Sequence, residues 1–224
     1  MTLGVVTGIQ RESQCLPSDP AIIVRCAAAR PDRAERCAAE LLESGCDALM
    51  SFGIGGGLSP ELSAGQVVVA DRVILPDGRE VVTDANWRDR LLAALSPRAN
   101  IVAGPIIGSE TIVADPHTKQ KIYRETGAVA VDMESHRVAS VAAAEGVPFL
   151  VIRAVSDTSI QGIPRSAIGV INENGTPRYG KVISGLFRQP GDLPKLMRLS
   201  KDTERALASL RGVALTAGAL FRFA

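Results

Sequence analysis

The chain has 224 residues, 46% of them hydrophobic and only 4% aromatic, a size and composition sufficient for one core-bearing domain over residues 1–224. Lys and Arg total 25 against 24 Asp and Glu. That balance leaves no basic footprint for nucleic acid, and so few aromatics leave no stacking platform for single strands.

Residues 3–7 form the first short aliphatic run, and the residues around it carry no basic region or long apolar stretch of the signal-peptide kind. Further β-branched or aliphatic runs occupy 21–24, 48–52, 66–75, 100–107, 129–132 and 148–155. Most are apolar nearly throughout, as in strands covered on both faces. Helical patterns alternate with them at 32–44, 87–95, 116–125 and 133–145. Asp115 is placed to cap the third of these, with Pro116 at its first position. The fourth stops at Gly146 and Pro148. Residues 160–201 are broken by Pro164, Pro177, Pro190 and Pro194 and read as a loop-rich excursion with a short helix near 179–188. A closing helix is expected over 202–210, and the apolar tail 212–224 is too short for a membrane span. The pattern predicts an α/β fold, three layers αβα with a mixed, mainly parallel central sheet.

Cys15, Cys26, Cys37 and Cys46 form no CxxC pair, and His117 and His136 are the two histidines. Metal-ligand spacing is therefore not found, and reduced thiols in a cytoplasmic protein are expected.

Four segments carry candidate chemistry. Phe52-Gly53-Ile54-Gly55-Gly56-Gly57 directly follows a predicted strand. Its glycines let backbone N–H groups approach a ligand, or simply make a tight turn. Val131-Asp132-Met133-Glu134-Ser135 lies where a strand gives way to a helix, the usual ligand position in open α/β sheets. Glu134 can accept two hydrogen bonds from vicinal hydroxyls; alternatively Asp132 caps the helix and Glu134 favours its positive end. Arg153-Ala154-Val155-Ser156-Asp157-Thr158 ends the most apolar strand. Asp157 there is either a desolvated acid able to protonate a leaving group or a loop residue in an Asx turn. In Gly8-Ile9-Gln10-Arg11-Glu12, Glu12 is either a base or a solvated helix-start residue.

In this order and spacing, the four segments resemble the nucleoside phosphorylase/nucleosidase family, which includes the methylthioadenosine/S-adenosylhomocysteine nucleosidases. The most specific parts are the Met133-Glu134 pair and the 153–157 stretch. The resemblance implies that Asp157 protonates N7 of a departing purine and that Glu12 activates water. It also implies that Glu134 binds the ribose hydroxyls, with Met133 against the sugar and Ile112 and Val113 flanking the base. Ser156 and the backbone of Gly55 and Gly56 complete the implied substrate-binding set. Ile54 stands where relatives often carry a hydroxyl, and Ile112 where an aromatic often stacks on adenine. The tail pattern around Gly180-Lys181-Val182 and 186–194 is similar to the hopanoid-associated phosphorylases, which act on adenosylhopane. That similarity implies a lipid-linked nucleoside, peripheral membrane contact and either an apolar route built from Leu186, Phe187, Leu193, Leu196 and Met197 or ordinary amphipathic packing of these residues onto the domain, while the family resemblance implies a self-associating chain.

No cofactor is implied beyond inorganic phosphate as a co-substrate. Phosphate needs cationic donors. Arg11, Arg72 and Lys119 are the candidates, whereas Glu12 would repel the anion, so water fits the residues better and the subgroup name fits phosphate better. A methylthioadenosine/S-adenosylhomocysteine nucleosidase is the enzyme alternative and a nucleoside-binding module the non-enzyme one. A dinucleotide-binding oxidoreductase is disfavoured because Leu58-Ser59-Pro60 interrupts the glycine pattern.

Overall fold

The computed structural model describes residues 1–95 and 100–218. In chain order the elements are β1 (Leu3–Thr7), α1 (Gln10–Ser13), β2 (Ile22–Cys26), α2 (Pro31–Glu43), β3 (Ala48–Gly57), β4 (Val67–Ile74), β5 (Glu80–Val82), α3 (Ala85–Leu95), β6 (Ile101–Gly108), α4 (Pro116–Thr126), β7 (Ala130–Asp132), α5 (Ser135–Glu145), β8 (Phe149–Asp157), α6 (Tyr179–Arg188) and α7 (Leu193–Ala217). Every expected strand and helix has a counterpart. Asp115 accepts the Thr118 N–H at 2.8 Å, and Gly127 and Gly146 end α4 and α5 in the left-handed conformation.

The eight strands form one mixed sheet. Parallel pairs join β1 to β2 and β3, β3 to β8, and β6 to β4 and β7; antiparallel pairs join β4 to β5 and β8, and β3 to β7. β3 changes partner along its length, running beside β8 as far as Gly56 and meeting β7 at Gly56 and Gly57. As a result β3, β8, β4, β6 and β7 hydrogen-bond in a closed circuit, with β1 and β2 continuing the sheet from β3 and β5 from β4.

Side-chain alternation explains why the strands read as unbroken apolar runs. Val5, Met50, Phe52, Val67, Val69, Leu150 and Ile152 face Trp87 and Leu91 of α3 and Leu207, Leu210 and Val213 of α7. Their neighbours Val6, Leu49, Val68 and Val151 face Ala34, Ala38 and Leu41 of α2 and Val138, Ala139 and Ala142 of α5. Both faces are thus buried under helices, which gives the three layers.

Three expectations are corrected. The glycine run is not a turn beyond a strand; it is the second half of β3. The closing helix is much longer than 202–210, because Pro194 does not break it, whereas Pro190 lies in the turn between α6 and α7. Pro194 lies in the first turn of α7, where a missing N–H and a fixed φ are tolerated. The helix expected from 133 begins at Ser135, leaving Met133 and Glu134 in the turn that precedes it. Of the apolar tail, residues 219–224 lie outside the described residues. Among the described residues no helix is long and apolar enough to cross a membrane.

Trp87 is fully buried between the sheet and α7. Trp87→Ala is expected to lower the unfolding free energy by about 3–5 kcal/mol. Urea titration followed by circular dichroism measures this, since the substitution removes the chain's one tryptophan.

Candidate active site

The carboxyl ends of β1, β3, β7 and β8 open on a cavity of about 340 Å³. All nine expected site residues line it: Glu12, Gly55, Gly56, Ile112, Val113, Met133, Glu134, Ser156 and Asp157.

Glu12 is not a solvated helix-start residue, being 2% exposed. α1 is a single turn that carries it back over the end of β1. There Oε2 accepts the N–H groups of Gly8 (2.6 Å) and Ile9 (2.8 Å), and Oε1 accepts that of Ile54 (2.8 Å). Three backbone donors and the charge of Arg153 favour the anion, but burial outweighs them and raises the Glu12 pKa. The arrangement depends on Gly53, where a Cβ would stand 2.6 Å from the Glu12 carboxyl carbon. The glycines of β3 therefore admit side chains of the chain itself.

Between β3 and β8 the register slips after Gly55, so that Gly55 faces Val155 and Gly56 faces Asp157. Such a bulge re-aims the residues beyond it. Ser156 and Asp157 are turned to the cavity, and Ser156 Oγ donates to Asp157 Oδ1 at 2.7 Å and lies 3.2 Å from the Gly55 carbonyl. Asp157 is as buried as expected, 4% exposed, but it is not isolated: Lys119 Nζ from α4 donates to its Oδ2.

Beneath Glu134 lies a polar cluster. Arg153, 1% exposed, pairs through Nε with Asp132 and donates from its terminal nitrogens to Ser51 (2.5 Å), Ser135 (3.1 Å) and the Ile152 carbonyl (3.1 Å). Asp132 Oδ1 accepts the Ser135 N–H at 3.0 Å, so the capping alternative holds for Asp132. Glu134 stands at the positive end of α5 as its N-cap residue, but its side chain makes no cap bond and lies 4.0 Å from Arg153. Burial first, and the neighbouring Asp132 second, push the Glu134 pKa up to about 8, against the opposing pull of Arg153.

The phosphate-donor candidates fare differently. Lys119 is fully buried and engaged with Asp157, while Arg72 pairs with Asp71 and Glu80 on β4 and β5, away from the cavity. Arg11 lines the cavity, with its guanidinium on Glu204 at 2.7 Å. Leu186, Phe187, Leu193, Leu196 and Met197 do not line the cavity, which corrects the expected apolar route; Phe187 is 85% exposed and Met197 66%. Ile163, Ala167, Val170, Ile171 and Leu199 form the wall instead. Sequence reasoning missed them because the 160–178 segment has no periodicity to place its side chains. It quoted Arg153 and Lys119 without assigning Arg153 to the site or Lys119 to Asp157.

A mixed α/β sheet with this topology is the nucleoside phosphorylase/nucleosidase fold. The chain belongs to the Phosphorylase superfamily, which matches over residues 16–167. It is 34% identical over 175 residues to a futalosine hydrolase of Streptomyces coelicolor, covering 71% of this chain and 70% of that protein. It is 31% identical over 153 residues to a 5′-methylthioadenosine/S-adenosylhomocysteine nucleosidase of Mycobacterium bovis, covering 50% of this chain. The chain spans 60% of the length of that mycobacterial relative. In overall shape it matches an S-adenosylhomocysteine nucleosidase of Streptococcus pyogenes solved with 5-methylthiotubericidin, with a TM-score of 0.69 at 18% identity over 97% of each chain.

The Glu134 carboxyl yields a pH prediction that needs no substrate. The folded chain holds this proton to about pH 8, whereas the unfolded carboxyl releases it near the ordinary 4.5. Between those values the folded state binds more protons, so stability falls as pH rises through the interval. Glu12, also raised, adds the same sign. Denaturant titrations from pH 5 to 8 should show a decline for the native chain and a shallower one for Glu134→Gln.

Proposed function

We propose that the chain hydrolyses the N-glycosidic bond of an adenine nucleoside bearing an apolar 5′ substituent, with adenosylhopane as the substrate. The observation that carries this reading is Glu12, buried in the same cavity as Asp157 and Glu134 and held by three backbone amides. Its raised pKa makes its carboxylate a stronger base toward water. Asp157 donates to the purine N7, so the leaving group departs without a full negative charge while the ribosyl ring becomes an oxocarbenium ion. Glu134 binds the ribose hydroxyls. Met133 packs against the sugar, with Ile112 and Val113 beside the base and Ser156 and the backbone of Gly55 and Gly56 around the reacting end.

Water rather than phosphate is the nucleophile in this reading. The cation lining the cavity, Arg11, is occupied by Glu204, and a phosphate beside Glu12 would meet a like charge. The wall of Ile163, Ala167, Val170, Ile171 and Leu199 supports an apolar 5′ group. The exposed side chains of Ile183, Phe187 and Met197, interleaved with Lys181, Arg188 and Lys195, support peripheral contact with a membrane that delivers such a substrate. Self-association belongs to the same proposal through the resemblance. A methylthioadenosine/S-adenosylhomocysteine nucleosidase is the second reading, favoured by the match to the mycobacterial relative.

The test is purine release from adenosylhopane, methylthioadenosine, S-adenosylhomocysteine and futalosine, with and without inorganic phosphate, and the sugar product weighed by mass spectrometry. Adenine with free ribosylhopane, formed without phosphate, is the expected result. A phosphorylated sugar transfers the nucleophile to phosphate; rapid cleavage of methylthioadenosine alone moves the substrate to a small thioether. Asp157→Asn should lower kcat by about 10²–10⁴-fold while the variant still binds nucleoside. In Glu12→Gln the product should still be bound but hydrolysis lost, and steady-state rates beside equilibrium binding separate the two effects.

A further inference from the structure

Lys119 is one of the largest fully buried side chains, and it does not line the cavity of about 340 Å³. Burying an ammonium is costly unless it is paired and hydrogen-bonded. Here all three of its N–H bonds find acceptors: Asp157 Oδ2, the Thr158 carbonyl at 3.0 Å and the Gln161 carbonyl at 3.0 Å. The other Asp157 oxygen takes the Ser156 hydroxyl at 2.7 Å. Asp157 thus meets the cavity from within an ion pair. Both of its oxygens already accept hydrogen bonds from protein donors, while departure of a purine requires a proton. The two donors on Asp157 are the Ser156 hydroxyl and the Lys119 ammonium, and an ammonium is a far stronger acid than an alcohol.

We propose that Lys119 is the positioning residue for Asp157 and the internal source of the proton that Asp157 passes to the leaving purine. The inference rests on the glycosidase reading above. As the C1′–N9 bond breaks, its electron pair passes into the purine ring and the basicity of N7 rises. N7 takes a proton through Asp157 Oδ2, and Oδ2 draws that proton from Lys119 Nζ, which becomes the neutral amine. Water adds to C1′ and its proton goes to the Glu12 carboxylate. Exchange with solvent after product release returns a proton to Lys119 and removes one from Glu12. The transfer is favourable only once the purine has gained charge, which confines its benefit to the transition state.

The test compares Lys119→Met, which removes the charge, with Lys119→Arg. An arginine keeps the charge and can hold Asp157, but a guanidinium does not release its proton in proteins. Each is assayed on the best purine nucleoside of the panel above and on a p-nitrophenyl riboside, whose leaving group departs as a phenolate without protonation. Expected is a loss in kcat of about 10²-fold or more on the purine substrate for both variants. KM and p-nitrophenyl riboside turnover should stay within about threefold of the native chain, since neither depends on general-acid catalysis. Equal losses on both substrates make Lys119 a purely structural residue and overturn the proposal. So does a Lys119→Arg chain with native purine turnover. If Lys119→Met fails to fold, Lys119→Arg alone decides between these outcomes. A native chain inert toward every purine nucleoside overturns the glycosidase reading and this inference together, whereas an active native chain with unaffected variants overturns this inference alone.

Discussion

The buried pair between Arg153 and Asp132 is the interaction on which the rest of the site depends. Both side chains are about 1% exposed, so neither charge has water to fall back on. The guanidinium also reaches Ser51 on β3 and Ser135 at the start of α5, fastening β8, β3, β7 and α5 at one point. Removing one member of such a pair costs about 3–5 kcal/mol, mostly because the other is left uncompensated. Arg153 is also the cation facing three buried acids, Asp132, Glu134 and Glu12, and it lowers the pKa of the latter two. One positive charge cannot balance three negative ones at low dielectric. Burial and the neighbouring acids push the Glu134 pKa up to about 8, and a diol that donates hydrogen bonds to its carboxylate would pull it back down.

The backbone arranges the same region by a change of partner. β3 runs with β8 and then turns to β7, and the register slip at this departure carries Asp157 to the cavity. Small residues are needed on β3 because Glu12 lies against Gly53, and Asp157 and Val131 lie against Gly56. A fold rule and a chemical requirement thus coincide in one stretch of strand.

Much of this was legible in the sequence. Apolar runs with caps and stops between them carried the strands and helices, since local patterning and burial on both faces agree there. The nine cavity residues were legible only through joint order and spacing; each motif alone had a plausible structural role. What escaped was set by long-range geometry. Lys119 lies on an exposed-looking helix whose sequence gives no hint that its side chain ends on Asp157. The five residues expected to form the apolar route are amphipathic on a helical wheel, but α6 and α7 turn three of them, Phe187, Leu193 and Met197, to solvent. Pro194 hid the length of α7 because a proline reads as a break unless its place in the first turn is known.

α7 bears on more than packing. Its Asp202 accepts from Gln161 Nε2 at 2.8 Å, and Gln161 Oε1 in turn accepts the Thr158 N–H beside Asp157; Leu199 and Thr203 of the same helix line the cavity. The loop that follows Asp157 is therefore fastened by residues more than forty positions later, which leave the ribosome after it. A nascent chain that has released β8 but not α7 holds every acid of the site and lacks the brace that orients them, so competence for chemistry waits for α7 to emerge and dock.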